Sequence, residues 1–465
     1  MVVRKNGMRH GSQNTVLFRC FSVLYCVVMA VLLLFWWKNT PNSSLVYRLS
    51  GLVSILLFTL VFVPFLRSWS EEWYALSRPK QPDSASDHLH RSTVVWIFLA
   101  LLLVDGAIIL FVWFLQWKLL GQADFRHSLE LWSKTDSCHY LYIAKNWYLS
   151  TGPRERLVEL VFLPGYPILV RAVTSILPND LYAGMLVSAV SFAGAGTMLY
   201  CLARLDMDHC SAMRVLRYAV LLPGAFFYAA PQSESLFLLL SVSCIYLSRK
   251  RNWIPACLLG GLAAFTRSMG VLLLIPVGFE LIRDLRQKDR FEPFGARRIL
   301  PFLTLFLIPF GFALYCLICR KVSGNPFQWM IYQRENWHQQ VGLFFQTAAF
   351  QTEQVVRCFQ HEEYALMVGV RIPNLLASFL ALIVMAISIR KIRPSYGAYF
   401  VSYYVIAFGA TNLLSGPRYL LVLFPFVFGI AEITRKRAVD IVMTLMTAVI
   451  SLIYLLLFVY QCYIW

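Results

Sequence analysis

Apolar residues fill this chain in runs that recur from end to end, near 16 to 37, 45 to 66, 93 to 118, 181 to 203, 215 to 231, 235 to 248, 252 to 265, 269 to 282, 299 to 318, 373 to 389, 396 to 414, 419 to 433 and 438 to 460. A helix rises about 1.5 Å per residue, so ~20 apolar residues reach across a ~30 Å hydrocarbon core. Lipid offers backbone groups no hydrogen-bond partner, and such runs must therefore close their bonds internally as helices. The pattern predicts an all-α polytopic bundle of about 11 to 13 spans. Four runs between 215 and 282 are too short to cross upright. They are expected to be half-buried or to bend at Pro231 and around Gly270.

The first run follows Arg4, Lys5 and Arg9, is longer than a signal-peptide core and lacks a small-x-small cleavage site, which predicts an uncleaved span. Residues 1–66 read as an N-terminal membrane hairpin added to one membrane domain over 93–465, since no linker or low-complexity tract divides the chain. With 58% hydrophobic and 14% charged residues, a soluble protein is excluded. The 42 Lys and Arg exceed the 24 Asp and Glu to give +18, but they cluster between apolar runs as orientation signals do. No basic stripe is interleaved with stacking aromatics, so nucleic acid is not an expected partner.

Lys and Arg favour cytoplasmic loops. With Arg4, Lys5 and Arg9 inside, the same face receives the basic residues of 67–91, 204–217, 249–251, 283–298, 390–393 and 435–437. The alternation closes only if 157 to 178 does not cross and the short runs are counted as hairpins. The opposite face then receives the loop 119–180, the turn Pro231 to Ser235, the break Thr266 to Gly270, the loop 319–372 and the turn Ser415 to Arg418. Every unusual polar element is thus expected at one, non-cytoplasmic, surface.

In the first of these loops TDSCHYLYIAKNWY (Thr135 to Tyr148) holds Asp136, a carboxylate that can take a hydroxyl proton as a general base, although a solvated loop acid looks the same in sequence. His139 lies one helical turn on, where it can orient the acid or bond a phosphate. Arg267 sits between two apolar runs, where an arginine costs ~2.5–3.5 kcal/mol on insertion scales and needs a partner. A lipid-linked phosphate and the acid Glu234, in another break, are the two candidates. Arg418 has the same choice, or snorkels to head groups. In the late loop Gln333, Glu335 and Asn336 stand among Trp329, Tyr332 and Trp337, a set that suits sugars and equally an interfacial aromatic belt.

Most cysteines fall inside apolar runs, and Cys316 and Cys319 form a C-x-x-C without a second ligand pair. Cys138 and Cys358 lie in loops assigned to one face, which leaves a disulfide between them open. No P-loop, dinucleotide fingerprint, H-E-x-x-H or nucleophile elbow occurs. Neither His361-Glu362-Glu363 nor Asp206-Met207-Asp208-His209 makes a convincing metal site, so none is expected.

These elements together resemble the PIG-V-like mannosyltransferases, polytopic glycosyltransferases of the GT-C type. Asp136, His139, Tyr140, Leu141, Ile143, Ala144 and Tyr148 match the family's WD-x-x-H/W-Y/F-L-x-I-A-x-x-G-Y motif. FLPGYP (Phe162 to Pro167), APQSESLF (Ala230 to Phe237), FTRSMG (Phe265 to Gly270) and SGPRYLLVLFP (Ser415 to Pro425) follow in the family's order, so that the likeness covers about 93 to 433. Thr135 replaces the usual Trp, Trp147 the usual Gly and Gln232 a Tyr. The resemblance implies a GT-C bundle with catalytic loops outside the cytoplasm and inverting transfer of mannose or a similar hexose. The donor would be a polyprenyl-phosphate sugar and the acceptor a hydroxyl of a lipid-linked glycan, with no cofactor or metal required. Asp136 would be the base, and His139, Tyr140, Glu234, Arg267, Gln333 and Arg418 would line or order the substrate site. A transporter or flippase of lipid-linked sugars is the alternative; it would more often show inverted repeats and broken helices at the midplane. GNPFQW in the late loop and the compact size point to a bacterial plasma membrane ahead of the endoplasmic reticulum.

Overall fold

The computed structural model describes residues 2–75, 90–149, 158–288 and 296–461, with side chains left aside at 2–17, 74–75, 287–288 and 296–299. The side chains of the orientation signals Arg4, Lys5, Arg9, Arg297 and Arg298 are therefore left aside, and the segment 76–89 lies outside the described residues. Among those described, the protein is all-helical, with a single isolated bridge between Val341 and Ala410.

The chain opens with three long helices, α1 (Val2–Asn39), α2 (Leu45–Ala75) and α3 (Arg91–Leu120). The first polar loop holds α4 (Phe125–Leu129), α5 (Asp136–Asn146) and α6 (Gly165–Thr174). A central group follows: α7 (Asp180–Ala203), α8 (His209–Leu221), α9 (Glu234–Arg249), α10 (Trp253–Thr266) and α11 (Leu274–Lys288). After α12 (Ala296–Thr304) and α13 (Leu307–Ser323), the late loop carries α14 (Gln328–Trp337), α15 (Phe344–Gln360) and α16 (Tyr364–Leu366). The last group is α17 (Ile372–Ser388), α18 (Pro394–Ala407), α19 (Gly416–Val422), α20 (Phe424–Ile433) and α21 (Arg437–Val459).

Among the described residues, seven helices are long and apolar enough to cross a membrane, and an eighth span arises if α19 and α20, bent by 82°, count as one. The protein is a multi-pass membrane bundle, but the expected 11 to 13 spans are corrected to seven or eight of full length. The difference lies in the short runs. As helices, α9 and α10 hold 16 and 14 residues, which at 1.5 Å each reach only about 24 and 21 Å. The run near 215 to 231 ends its helix at Leu221 and turns at Gly224 into a short 3-10 stretch, Ala225–Tyr228. The run near 269 to 282 opens as another 3-10 stretch, Ser268–Leu273, before α11. The breaks thus fall beside Pro231 and Gly270, where polar residues interrupt the apolar pattern.

Burial divides these helices into an inner and an outer set. The span Asp180–Ala203 is 72% buried, against 11% for Phe18–Asn39 and 17% for Arg91–Leu120 and Arg437–Val459. The outer helices turn Leu34, Leu103 and Leu445 outward, as lipid-facing surfaces do. Inside, α10 and α13 meet backbone to backbone: a Cβ on Gly311 would sit 1.8 Å from the Gly261 carbonyl. Small residues permit this close crossing, and in lipid such dispersion contacts carry much of the association. The helix α2 packs along α15 and α17, with Phe58 and Phe344 ring centroids 4.5 Å apart. Cys138 and Cys358 are both free thiols, so no disulfide joins them.

Candidate functional site

Asp136 is the first residue of α5, and the two residues that bound this helix carry unusual backbone. Thr135 has φ 58° and ψ −138°, Trp147 φ 60° and ψ −155°. Such conformations suit glycine and cost other residues about 1–3 kcal/mol each. At position 147 the resembled motif does carry Gly. Side-chain bonds offset part of this cost: Gln232 Nε2 donates to Thr135 Oγ1 at 3.0 Å and Ser137 Oγ at 3.1 Å, tying the start of α5 to the break before α9. Asp136 is thereby fixed in place by contacts remote in sequence.

From Asp136 a chain of charges runs inward. Its Oδ2 accepts from Arg418 at 2.7 Å. The same guanidinium donates to Glu234 Oε1 through Nε at 2.9 Å and a terminal nitrogen at 2.5 Å. Arg267 reaches that oxygen at 2.8 Å and Ser233 Oγ at 3.0 Å, and Ser233 shares a 2.7 Å hydrogen bond with Tyr140. Glu234 is fully buried and Arg418 nearly so, whereas the Asp136 side chain keeps 27% of its exposure. Two carboxylates therefore neutralise two guanidiniums. In such a buried set, loss of one member strands the others at a cost of about 3–5 kcal/mol.

Arg267 thus pairs with Glu234, one of the two partners the sequence left open. Arg418 is held in a buried ion pair and does not reach head groups. Both still line a cavity of about 400 Å3, a size that takes a small ligand. Asp136, Tyr140, Arg267, Gln333 and Arg418 all contribute to its wall, joined by Trp337, Gln339, Asn412 and Ser415. Elements from four breaks in the apolar pattern converge there, and Glu234 brings in the fifth from behind. Of the late-loop aromatics Trp337 lines the cavity, whereas Trp329 packs on Phe312 with centroids 5.7 Å apart.

His139 and Glu234 do not face the cavity. The His139 ring stacks on Phe162 at 4.6 Å, with Trp337 edge-on at 6.2 Å, and its Nδ1 lies 3.7 Å from Glu159. Burial works against its charged form, but the Cys138 sulfur, the Glu159 carboxylate and the charge of Asp136 outweigh it and push the imidazole up to about 9. The ring is therefore a cationic prop behind Asp136.

A second layer escaped the sequence reading. Gln351 Nε2 and Asn374 Nδ2 both donate to Leu413 O, at 2.8 and 2.9 Å. Asn374 Oδ1 also accepts from Gly416 N at 2.5 Å, Thr347 donates to Ala410 O at 3.0 Å, and Gln339 donates to Asn412 O at 2.7 Å. These bonds hold the irregular segment that presents Arg418. One signal was available: Asn374 is an amide near the start of an otherwise apolar run, and such residues usually bond within the bundle.

Fold and site together define an all-helical, multi-pass membrane protein with an acid–arginine chain ending at a polar cavity. No protein-family model and no curated protein matches the chain.

Proposed function

We propose that the protein is an inverting glycosyltransferase of GT-C type that moves mannose or a similar hexose from a polyprenyl-phosphate donor to a hydroxyl of a membrane-linked glycan or lipid. The observation that carries this reading is the placement of Asp136 and Arg418, 2.7 Å apart, in the wall of one cavity with Arg267. One Asp136 oxygen is engaged by Arg418, and among the described residues the other has no side-chain partner. That second oxygen is the acceptor for a hydroxyl proton.

The step balances as follows. The acceptor O–H gives its proton to Asp136 while its oxygen bonds to the sugar C1 from the face opposite the phosphate. The bond from C1 to the phosphate oxygen breaks, and the lipid phosphate leaves with the electron pair. As Asp136 is protonated it ceases to neutralise Arg418, so positive charge appears beside the departing phosphate when negative charge develops there. Gln333, Gln339 and Asn412 supply amides, and Trp337 an aromatic edge, of the kind that bind sugar hydroxyls and C–H faces. Transfer is favoured over carriage because α9, which runs inward from the cavity, is closely packed, with Phe237, Val242, Cys244 and Ile245 fully buried.

The test is transfer of radiolabelled sugar from polyprenyl-phosphate mannose into a lipid extract by the purified protein. Asp136→Asn, nearly isosteric, should reduce the rate by about 100-fold or more when measured below its own melting temperature, which falls because Arg418 loses its partner. Transfer at the wild-type rate by the variant would remove Asp136 as the base.

A further inference from the structure

The two arginines of the cavity wall are committed to different extents. Arg418 spends all three guanidinium nitrogens on carboxylates, Nη1 on Asp136 and both Nε and Nη2 on Glu234. Arg267 makes both of its side-chain bonds, to Ser233 and Glu234, from Nη1 alone, and its side chain keeps 16% of its exposure. Its Nε and Nη2 therefore form the guanidinium edge left for a ligand.

Tyr419 follows Arg418 on α19 and lines the same cavity. Its ring meets Phe408 edge-on, with centroids 6.1 Å apart. Other tyrosine hydroxyls near the site are committed to the protein: Tyr140 to Ser233, Tyr166 to Gly184 O and Ser188, and Tyr228 to Leu421 O. That of Tyr403 is sealed in without a partner. The Tyr419 hydroxyl belongs to neither group, since among the described residues it has no hydrogen-bond partner and yet it is not sealed in. Arg267, Arg418, Asp136 and Glu234 all lie close enough for their charges to act on it. A half-buried tyrosine keeps its ring in the apolar wall and its O–H for a polar partner, and here that partner must come from the cavity.

In the resting cavity the charges cancel, because Arg267 and Arg418 face Asp136 and Glu234, with His139 facing Glu159 behind them. Charge alone therefore selects no anion in that state. Transfer changes the count. Once Asp136 holds the acceptor's proton, two guanidiniums face one carboxylate, and the group then gaining negative charge is the phosphate leaving the sugar. A donor that meets this phosphate stabilises the transition state more than the ground state. A phenol suits the position, because it supplies an O–H without a further charge to bury. A contact to a sugar hydroxyl, by contrast, is much the same before and during transfer.

We propose that Tyr419 is a further catalytic residue, a role that rests on the glycosyltransferase reading: its hydroxyl donates a hydrogen bond to the departing lipid phosphate, beside the free edge of Arg267. Tyr419 keeps its proton throughout. The site holds the phosphate best when Asp136 is neutral, so proton uptake by the base and retention of the leaving group are coupled.

Two measurements on the purified full chain test this: sugar transfer, and affinity for sugar-free polyprenyl phosphate, the leaving group itself. Tyr419→Phe keeps the ring against Phe408, so its ligand-free melting temperature should match the wild type. It should lower kcat about 10-fold, with KM for the donor changed less, and weaken polyprenyl phosphate by a similar factor, equivalent to about 1.4 kcal/mol. Asp136→Asn, measured below its own melting temperature, should bind polyprenyl phosphate at least ~5-fold more tightly than the wild type, because one carboxylate is gone. Unchanged kcat and affinity in Tyr419→Phe, or no tightening in Asp136→Asn, would overturn the proposal while transfer by the wild type kept the glycosyltransferase reading. Slower transfer by Tyr419→Phe with unchanged polyprenyl phosphate affinity would place the hydroxyl on the sugar and overturn it too. A wild type that neither transfers sugar nor binds polyprenyl phosphate would remove both readings. Inorganic phosphate that competes as well as polyprenyl phosphate at equal concentration would make the site one for a free anion and reject the lipid phosphate. If Tyr419→Phe does not fold, 3-fluorotyrosine placed at position 419 decides: its fluorine resonance must shift when polyprenyl phosphate is added, and an unmoved resonance rejects the contact.

Discussion

His139 shows how a residue can matter without touching the cavity. Its ordinary value is 6.5, and the folded environment raises it to about 9. A raised folded value means that the imidazolium stabilises the native state fully below about pH 6.5 and that this contribution disappears as pH climbs through about 9. His139→Gln removes the titration. Melting temperatures of the two proteins, followed from about pH 6 to pH 10, should therefore differ most at the acid end and converge at the alkaline end. A gap that stays constant across the range would mean that the ring acts only by stacking on Phe162. At this scale part of the site was legible: Arg267 was marked by its place between apolar runs, Asp136, Gln333 and Arg418 by polar side chains in the breaks, and Tyr140 by the motif alone, and all five line one cavity. Glu234 as the partner of Arg267 and His139 as a residue that orients the acid were among the alternatives the sequence offered; that both lie behind the cavity wall was not legible, since sequence spacing fixes neighbours along a helix but not the direction in which a side chain points. Gln351 and Asn374 were missed because their partners are backbone carbonyls about 40 to 60 positions away, which no local pattern encodes.

Among elements, the breaks are more informative than the spans. FLPGYP starts α6 with Gly165, and a Cβ there would lie 2.4 Å from Thr266 Oγ1 and 2.9 Å from Thr266 Cα. The short helix is thus pressed against the residue before Arg267, and the glycine allows the contact. Gly165→Ala must push these segments apart, with an overpacking cost of about 1–3 kcal/mol and displacement of Arg267 from Glu234. Thermal melts and transfer assays should both show the loss. Gly278→Ala is the control, because nothing lies within 4 Å of a Cβ at that position. Equal behaviour of the two variants would mean that the close approach is not what sets the cavity wall. Sequence found these breaks through proline, glycine and charge, but it overcounted spans, because apolar content reports burial and does not distinguish a lipid-facing helix from one buried in protein. α9 is apolar for the second reason, packed within the bundle, whereas α10 buries one face and turns Ile254, Leu258 and Leu262 outward; at 16 and 14 residues both reach only part of the way across a bilayer.

The whole molecule has two polar ends joined by packed helices, and the question that remains physical is which end faces the cytosol. Charge bias assigns the Asp136 end to the outside, because basic clusters gather at the loops around Asp206, Arg249 and Arg393, and positive residues are retained on the cytoplasmic side. The fold supplies its own reporters. Cys138 is an exposed thiol two residues from Asp136, and Cys210 is an exposed thiol at the start of α8, just past Asp206. In a background with the other cysteines changed to serine, sealed vesicles of uniform orientation can be treated with a membrane-impermeant maleimide. Cys210 should be modified only from the cytoplasmic side and Cys138 only from the other. Labelling of both from one side would contradict the two-ended architecture itself. Exchange of the two sides would keep the architecture and reverse the orientation. Asp136 and its cavity would then face the cytosol.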